Sequence, residues 1–201
     1  MLKELRSALV LFAALAILTG LIYPLAVTGL ATSIFPDAAQ GSLIDRDGRV
    51  VGSQLIGQLF TSDRYFHGRP SATLGPDPAD PSKTAPQPYN AANSMGSNLG
   101  PTNKALIERV AGDVAKLKPD NPGAPVPIDL VTTTGSGLDP DISPEAALFQ
   151  VPRVAKARNL DEGALRALIG THTEARIFGV LGEPRVNVLA LNLALDRAAA
   201  K

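Results

Sequence analysis

The sequence contains no cysteine and no tryptophan, and its other aromatic residues are few. The absence of cysteine excludes a disulfide framework, a thiolate zinc site and a cysteine nucleophile. Basic and acidic side chains number 19 each, so the formal net charge is zero and no nucleic acid is expected as a partner. No repeat of fixed period is visible, and 201 residues predict one principal domain once a membrane segment is set aside.

Catalytic motifs are missing as well. There is no G-x-x-x-x-G-K-[ST] phosphate loop, and Gly135-Ser136-Gly137 is better interpreted as a tight turn than as a phosphate site. The two histidines, His67 and His172, have no carboxylates at ligand spacing, so no metal site is predicted. A lone histidine could serve as a general base, but a structural role is favoured. The chain is therefore predicted to have no catalytic site of its own.

One long apolar run stands out near the N-terminus. No charged side chain occurs from Ser7 to Pro36, and a helix needs roughly 20 apolar residues to cross the hydrocarbon core. We predict a transmembrane helix over residues 8–33. A cleaved signal peptide is the alternative, with small residues at Gly29-Leu30-Ala31, but the run exceeds the roughly 7–15 apolar residues of such signals. The length favours an uncleaved anchor.

The charges that flank this run predict its orientation. Lys3 and Arg6 precede it, and Asp37 is the first charge after it. Because cytoplasmic flanks carry the excess of basic residues, we expect residues 1–7 in the cytoplasm. Residues 34–201 would then form a domain on the outer side of the inner or plasma membrane. The protein is predicted to cross the bilayer once.

The transmembrane segment carries a row of small residues. Ala16, Gly20, Pro24 and Thr28 recur at every fourth position and share one face of the helix. Small residues allow a second transmembrane helix to approach closely. The same spacing also arises by chance in alanine-rich anchors, so the row by itself leaves both interpretations open.

The outer region mixes strand, loop and helix signals. Asp47-Gly48 between apolar runs at 41–45 and 50–56 predicts a hairpin with a type I′ turn. Numerous prolines from Phe60 to Pro101 exclude a helix or a central strand there and predict a long irregular stretch. Without a regular βαβ alternation, the pattern predicts a single compact α+β domain.

The second half of this region contains the helix signals. Capping residues and apolar spacing predict five further elements. These are a helix over 102–118 with Leu106, Val110, Val114 and Leu117 buried, a strand over 128–133, a helix that Ser143 caps with Pro144 first, a helix that Asp161 caps, and a helix from Asn187 to Ala200.

A basic segment around Pro152 is unusual. Pro152 lies inside an otherwise helical pattern, where it removes a backbone hydrogen bond and kinks the helix. Arg153 and Arg158 could grip an anion. A kinked surface helix with solvated arginines is favoured on charge patterning alone.

Several long strings in one order carry a family resemblance that covers nearly the whole chain. The chain resembles the C subunit of the Kdp-type potassium-transporting ATPase, the high-affinity potassium uptake pump of bacteria and archaea. The strings are YFHGRPSA at 65–72, YNA at 89–91, GSNLGPTN at 96–103, DLVT at 129–132, GSGLDP at 135–140, ISP at 142–144, QVPRVA at 150–155, GEPRVNV at 182–188 and LN at 191–192.

The resemblance implies a partner set. In that pump a P-type subunit hydrolyses ATP and a channel-like subunit carries the selectivity filter. This chain has neither an Asp-Lys-Thr-Gly-Thr phosphorylation loop nor a Thr-Val-Gly-Tyr-Gly filter, so it matches neither partner. The resemblance implies a non-catalytic accessory subunit in the bilayer beside those two, with its outer domain near the potassium entrance.

The resemblance also implies a contested nucleotide role. Members of this family are described as catalytic chaperones that raise the ATP affinity of the hydrolysing subunit, with Gln150, Val151, Pro152 and Arg153 as the corresponding nucleotide motif here. The predicted topology conflicts with this, because ATP is cytoplasmic and Gln150 would lie outside. We expect no cofactor of the chain's own, with ATP entering only through the complex. A nucleotide-binding chaperone and a secreted hydrolase with a cleaved leader remain the alternatives.

Overall fold

The computed structural model describes residues 2–199, and the chain divides into two compact units, Met1–Ser53 and Gln54–Lys201. Met1, Ala200 and Lys201 lie outside the described residues. The start of the predicted cytoplasmic segment and the predicted helix end at Ala200 therefore have no structural counterpart.

The first unit is dominated by one long helix. It consists of α1 (Leu2–Ile17), a π-helical segment (Leu18–Ile22) and α2 (Tyr23–Ile34). The stretch Glu4–Ile34 has 31 residues and contains an 18-residue window with a mean hydropathy of 2.4, so it could span a membrane. At about 1.5 Å per residue it is longer than the roughly 30 Å hydrocarbon core.

Pro24 accounts for the π-helical segment. Its ring removes one N–H donor and would clash with the carbonyl four residues earlier, that of Gly20. The helix widens before this point, and the N–H of Tyr23 bonds to the carbonyl of Leu18, five residues back. A π-segment of one turn is the usual form of this irregularity, and it occurs frequently at functional sites.

A short helix and a hairpin complete this unit. They are α3 (Pro36–Ala39), β1 (Leu43–Arg46) and β2 (Arg49–Ser53), the strands being antiparallel. The turn residues Asp47 and Gly48 have φ of 56° and 75°. Both central residues of a type I′ turn require positive φ, so the predicted hairpin is confirmed.

The second unit is an α+β domain, as predicted. Its sheets are a hairpin of β3 with β4 and a three-stranded antiparallel sheet in the order β5-β7-β6. The helices pack around the larger sheet, and their apolar faces form one core with Phe66, Leu191 and Leu195 fully buried. The elements are β3 (Leu74–Pro76), β4 (Thr84–Pro86), α4 (Lys104–Leu117), 3₁₀ turns at Lys118–Asp120 and Ile128–Leu130, β5 (Asp141–Ile142), α5 (Pro144–Phe149), α6 (Val151–Arg158), α7 (Glu162–Thr171), β6 (Thr173–Glu174), β7 (Arg185–Asn187) and α8 (Val188–Ala199).

The predicted helix caps are confirmed. Ser143 Oγ accepts from the N–H of Ala146 at 3.2 Å, and Asp161 Oδ2 accepts from that of Ala164 at 2.8 Å. Each bond satisfies one donor that the first helical turn leaves free. The α5 helix ends at Phe149 and α6 follows at Val151 with Pro152 in its first turn, so proline interrupts the helix as expected.

Three local predictions were wrong. Residues 128–130 form a 3₁₀ turn rather than a strand, because Asp129 turns its carboxylate onto the N–H of Ser143 at 2.8 Å. The α4 helix buries no residue fully, and Val114 is 37% exposed, because little chain packs against that face. The proline-rich stretch contains the β3–β4 hairpin, whose prolines stand at the strand ends, where a missing N–H is tolerated.

Candidate functional site

Gln150 forms the centre of a polar cluster inside the second unit. Its side chain is 1% exposed. Its amide nitrogen donates to the carbonyl of His67 at 3.1 Å and to that of Ala146 at 3.2 Å. Its amide oxygen accepts from the N–H of His67 at 2.8 Å and from Arg153 at 2.7 Å. Two donors and two acceptor positions are all that a glutamine amide offers, so Gln150 is fully occupied.

Asn192 on α8 pairs in the same way with the backbone of Phe66, the residue before His67. Its amide oxygen accepts from the N–H of Phe66 at 2.9 Å, and its amide nitrogen donates to the carbonyl of Phe66 at 2.9 Å. The Phe66 ring is buried in the core. Gln150, at the junction of α5 and α6, and Asn192 on α8 thus hold two consecutive residues of segment 65–72, which has no strand partner of its own.

Arg153 adds a third attachment to this segment. Its guanidinium donates to the carbonyls of Asp63 at 2.8 Å and Tyr65 at 3.1 Å, and it pairs with the carboxylate of Asp120 at 3.0 Å. Its side chain is 8% exposed. The arginine is therefore turned inward, where its donors satisfy loop carbonyls.

Arg158 contacts the start of this segment and the residue before it. Its Nε donates to the carbonyl of Arg64 at 2.6 Å, and its Nη2 pairs with Asp196 at 2.8 Å. The guanidinium also lies 4.7 Å from the ring centre of Tyr65, within cation–π range. Contrary to the favoured interpretation, neither arginine is a solvated surface group.

The four residues of the family-implied nucleotide motif thus have defined places. Gln150 and Arg153 bond to residues 63–67, Val151 is buried in the core, and Pro152 is the second residue of α6. The polar atoms of Gln150 are committed to protein partners. The structure brings the strings at 65–72, 150–155 and 191–192 together, although they lie far apart in the sequence. Sequence reasoning did not predict that Asn192 takes part in this cluster. The signal that could have found it is a single amide side chain among the buried leucines of α8.

Burial and charge act on His67 in the same direction. Burial, and then the positive charge of Arg153, lower the pKa of His67 below its usual value. Its Nε2 lies 3.0 Å from the carbonyl of Ser62. The lowered pKa favours the neutral ring. The His67 side chain thus links two parts of one loop, its own position and Ser62.

A second hydrogen-bonded group surrounds Tyr89. Ser71 Oγ donates to the carbonyl of Gly137 at 2.7 Å and accepts from the N–H of Tyr89 at 3.0 Å, while the Tyr89 hydroxyl donates to the carbonyl of Arg69 at 2.7 Å. Burial, with Asp139 nearby, raises the pKa of Tyr89 to about 12. The Gly135-Ser136-Gly137 stretch is thus a packed turn, with Gly137 at φ 72°.

Three cavities adjoin these groups, and the one of about 480 Å³ is lined by Asp63, Asp120 and Arg153. A second, of about 600 Å³, is lined mainly by charged side chains, including Asp129 and Glu145. Arg69 pairs with Asp139 at 3.1 Å and Arg185 with Asp141 at 3.2 Å along its wall, so part of its acidity is neutralised within the wall. Burial raises the pKa of Asp141, while Arg185 opposes the rise. Within residues 2–199 no group of three potential metal ligands is found.

The third cavity has a volume of about 570 Å³ and lies beside Gln150. Tyr89, Lys116 and Leu130 contribute to its wall. It has the size of a small-molecule site, but the Gln150 amide at its edge has no hydrogen-bonding capacity left. The wall is lined by both charged and apolar side chains.

The predicted row in the apolar helix is exposed along its length. Ala16, Gly20, Pro24 and Thr28 each lie on the surface of the first unit. In a regular α-helix a four-residue row drifts around the axis, because one turn takes only about 3.6 residues. The π-helical segment at 18–22 has wider turns and opposes this drift, so it keeps the row closer to a straight line.

Comparison with known proteins agrees with the resemblance. The family model described as KdpC, the c chain of the K⁺-transporting ATPase, matches residues 5–197. A potassium-transporting ATPase KdpC subunit of Rhodopseudomonas palustris (strain BisB18) is 72% identical over 98% of this chain and 100% of its own length. Proteins of the same name from Methylobacterium nodulans and Bradyrhizobium diazoefficiens are 69% and 67% identical, each over the whole of both chains. The chain therefore belongs to the KdpC family of K⁺-transporting ATPase c chains.

Proposed function

We propose that this chain is the accessory subunit of an ATP-driven potassium uptake pump. Its apolar helix anchors it in the inner or plasma membrane, and residues 34–201 lie on the outer side. The chain stabilises the assembled complex and shapes potassium access to the channel-like subunit. The names of its relatives and the helix that could span a membrane support this role.

The observation that carries the proposal is the engagement of Gln150 and Arg153 inside the domain. A nucleotide-binding chaperone requires polar atoms that can reach the ligand. Here the amide of Gln150 has four protein partners, and the guanidinium of Arg153 bonds to loop carbonyls and to Asp120. These residues support a rigid domain better than they support a binding site.

The decisive experiment removes the domain. A chain ending after Ser53 is co-expressed with the other subunits, and both recovery of the complex and the potassium dependence of transport are measured. We expect less complex, or a raised potassium concentration for half-maximal transport. A complex that assembles normally and keeps its potassium affinity would refute the proposal.

The membrane helix provides a second test, with a matched control. Gly20→Leu places a bulky side chain on the row of small residues, whereas Gly29→Leu places the same side chain next to Thr28 but about 100° around the helix. We expect Gly20→Leu to lower recovery of the solubilised complex and Gly29→Leu to leave it unchanged. Equal recovery of both variants would argue against this face as the contact.

Topology is tested by labelling introduced cysteines in intact cells with an impermeant thiol reagent. The chain has no native cysteine. Lys3→Cys reports the N-terminal side, and Ala167→Cys, at an exposed position of α7, reports the domain. Gln150 is unsuitable because it is buried. Labelling of Ala167→Cys alone supports an outer domain without access to cytoplasmic ATP. Labelling of Lys3→Cys alone would favour the nucleotide chaperone instead.

A further inference from the structure

The chain between β6 and β7 ends in an exposed apolar tip, which we define as Ile177, Phe178, Val180 and Leu181. All four side chains are more than half exposed, Phe178 to 91% and Val180 to 73%. Among the exposed large hydrophobic residues at positions 54–199, Phe178 is the only aromatic one. Contiguous apolar side chains on a soluble domain mark an interaction site.

The backbone of the tip is held in place by its own hydrogen bonds. Ile177 and Leu181 exchange N–H to carbonyl bonds of 2.9 and 3.0 Å, and Val180 donates to the carbonyl of Ile177 at 3.2 Å. The tip is therefore a formed hairpin end. A preformed binding element loses less conformational entropy when it binds.

Phe178 occupies a turn position that its side chain disfavours. Phe178 and Gly179 have φ of 53° and 76°, nearly the values of Asp47 and Gly48 in the β1–β2 hairpin. At this first turn position Asn, Asp and Gly are preferred, and a bulky residue with positive φ is a strained outlier. A pair of positive φ values thus falls on the expected polar residue and glycine in one hairpin, and on an exposed phenylalanine and glycine in the other. Strain held at an exposed site points to function rather than to folding.

The charges at the base of the tip favour a protein over a lipid surface as the partner. Arg176 pairs with Glu183, and Arg185 pairs with Glu174 at 2.8 Å. Binding to anionic lipid relies on basic side chains free to face the headgroups. Here the cations are paired across the hairpin. An apolar centre inside a neutral polar rim is the arrangement typical of protein interfaces.

We propose that the apolar tip docks into an apolar pocket on another subunit of the same pump, with Phe178 as its anchor. This inference rests on the proposed accessory role, and it names the surface through which residues 54–201 hold the complex. The partner pocket is expected to be uncharged at its floor and to accept one aromatic ring.

Thiol protection tests the occupant directly. Val180→Cys, a tip position at 73% exposure that leaves the Phe178 ring in place, and the control Ile128→Cys, an exposed site elsewhere on the domain at 70% exposure, are labelled with a maleimide reagent in the full chain. The rate is followed on this chain's own gel band, both in the assembled pump and in the chain alone in anionic lipid nanodiscs. We expect Val180→Cys to react at least tenfold more slowly only in the pump, with Ile128→Cys reacting equally in both. Protection by the lipid alone, or protection in neither sample, would overturn the proposal.

A substitution that favours the turn separates docking from folding. Phe178→Asn places a preferred residue at the turn, so the melting temperature of the domain should stay the same or rise. The rate at which the chain leaves the solubilised pump should rise roughly tenfold or more, as for loss of an interface anchor. Ile128→Asn, which removes a comparable exposed apolar side chain, should change neither. An unchanged release rate, or a lowered melting temperature, would overturn the inference.

Removal of residues 54–201 tests the accessory role, whereas Phe178→Asn tests the apolar tip alone. If removal of residues 54–201 weakens the complex but Phe178→Asn does not, the accessory role stands and the tip is not the contact. If that removal changes neither assembly nor potassium affinity, the accessory role itself is refuted.

Discussion

The side-chain amide of Gln150 and the peptide group of His67 exchange two hydrogen bonds across 83 residues of sequence. The amide takes the position that a neighbouring strand would occupy in a sheet, with one donor and one acceptor facing one residue. The segment around His67 has no strand partner, so its backbone N–H and carbonyl groups bond to the side chain instead. Without such partners, these groups would be left unpaired away from water, which costs free energy.

Replacing Gln150 should test this role. In Gln150→Leu the N–H and carbonyl of His67 lose their partners in a partly buried place, at about 1–3 kcal/mol for each group. We expect a loss of about 3 kcal/mol in the free energy of unfolding, measured by urea denaturation of the full chain in detergent. The exposed Gln54→Leu should stay within about 0.5 kcal/mol of the parent. Full stability combined with weakened nucleotide binding would instead assign Gln150 to a ligand.

Arg158 offers a second stability test. Its side chain is 3% exposed and pairs with Asp196, which retains 23% exposure. Breaking a buried pair by removing one partner costs about 3–5 kcal/mol. Because Asp196 is partly accessible to solvent, we expect Arg158→Met to lower the free energy of unfolding by about 3 kcal/mol. Thermal unfolding of the full chain provides the measurement. Arg166→Met breaks a pair whose members are both about half exposed and should cost less than about 1 kcal/mol. Equal effects of the two substitutions would contradict the buried role.

Two glycines of one turn provide a matched pair. A Cβ at Gly137 would lie 2.3 Å from the Thr73 methyl group and 2.6 Å from the Met95 carbonyl oxygen, at a φ of 72°. A Cβ at Gly135 would meet nothing within 4 Å. We expect Gly137→Ala to lower the unfolding free energy by at least about 2 kcal/mol and Gly135→Ala to change it by less than about 1 kcal/mol. A mild effect at Gly137 would show that the turn can open.

The depressed pKa of His67 predicts a pH dependence of stability. Because the folded state binds this proton less readily than the unfolded state, the stabilisation is complete above the unfolded value of about 6.5. It is lost as the pH falls from there toward the lower folded pKa. We expect His67→Gln to flatten the fall in melting temperature between pH 7 and pH 5. His172→Gln is the control and should keep the slope, whereas equal slopes in all three proteins would contradict the assignment.

Local chemistry made part of this fold predictable. The Asp47-Gly48 turn, the caps at Ser143 and Asp161 and the interruption at Pro152 each depend on residues within one turn of the chain. Such features are decided by backbone geometry and nearby hydrogen bonds, and they appear where the sequence indicated.

Long-range packing decided the rest. The apolar spacing of α4 predicted a buried Val114, but the amount of chain that covers a helix is not encoded in its own spacing. Residues 128–133 were predicted as a strand, but Ile128–Leu130 form a 3₁₀ turn, in which the Asp129 carboxylate accepts a bond from the N–H of Ser143. The arginines at 153 and 158 were assigned to solvent because their carbonyl partners lie about 90 residues away.

The pairing of Asn192 with Phe66 has a consequence for biosynthesis. The two residues are separated by 126 positions, so a ribosome must add all of them before the bonds can form. Until then the peptide groups around Phe66 have no protein partner and the aromatic ring has no core to enter. Contacts of this sequence separation also form slowly. The nascent domain therefore passes through a period in which it exposes the Phe66 ring and the backbone groups beside it, and this period ends only when α8 has emerged.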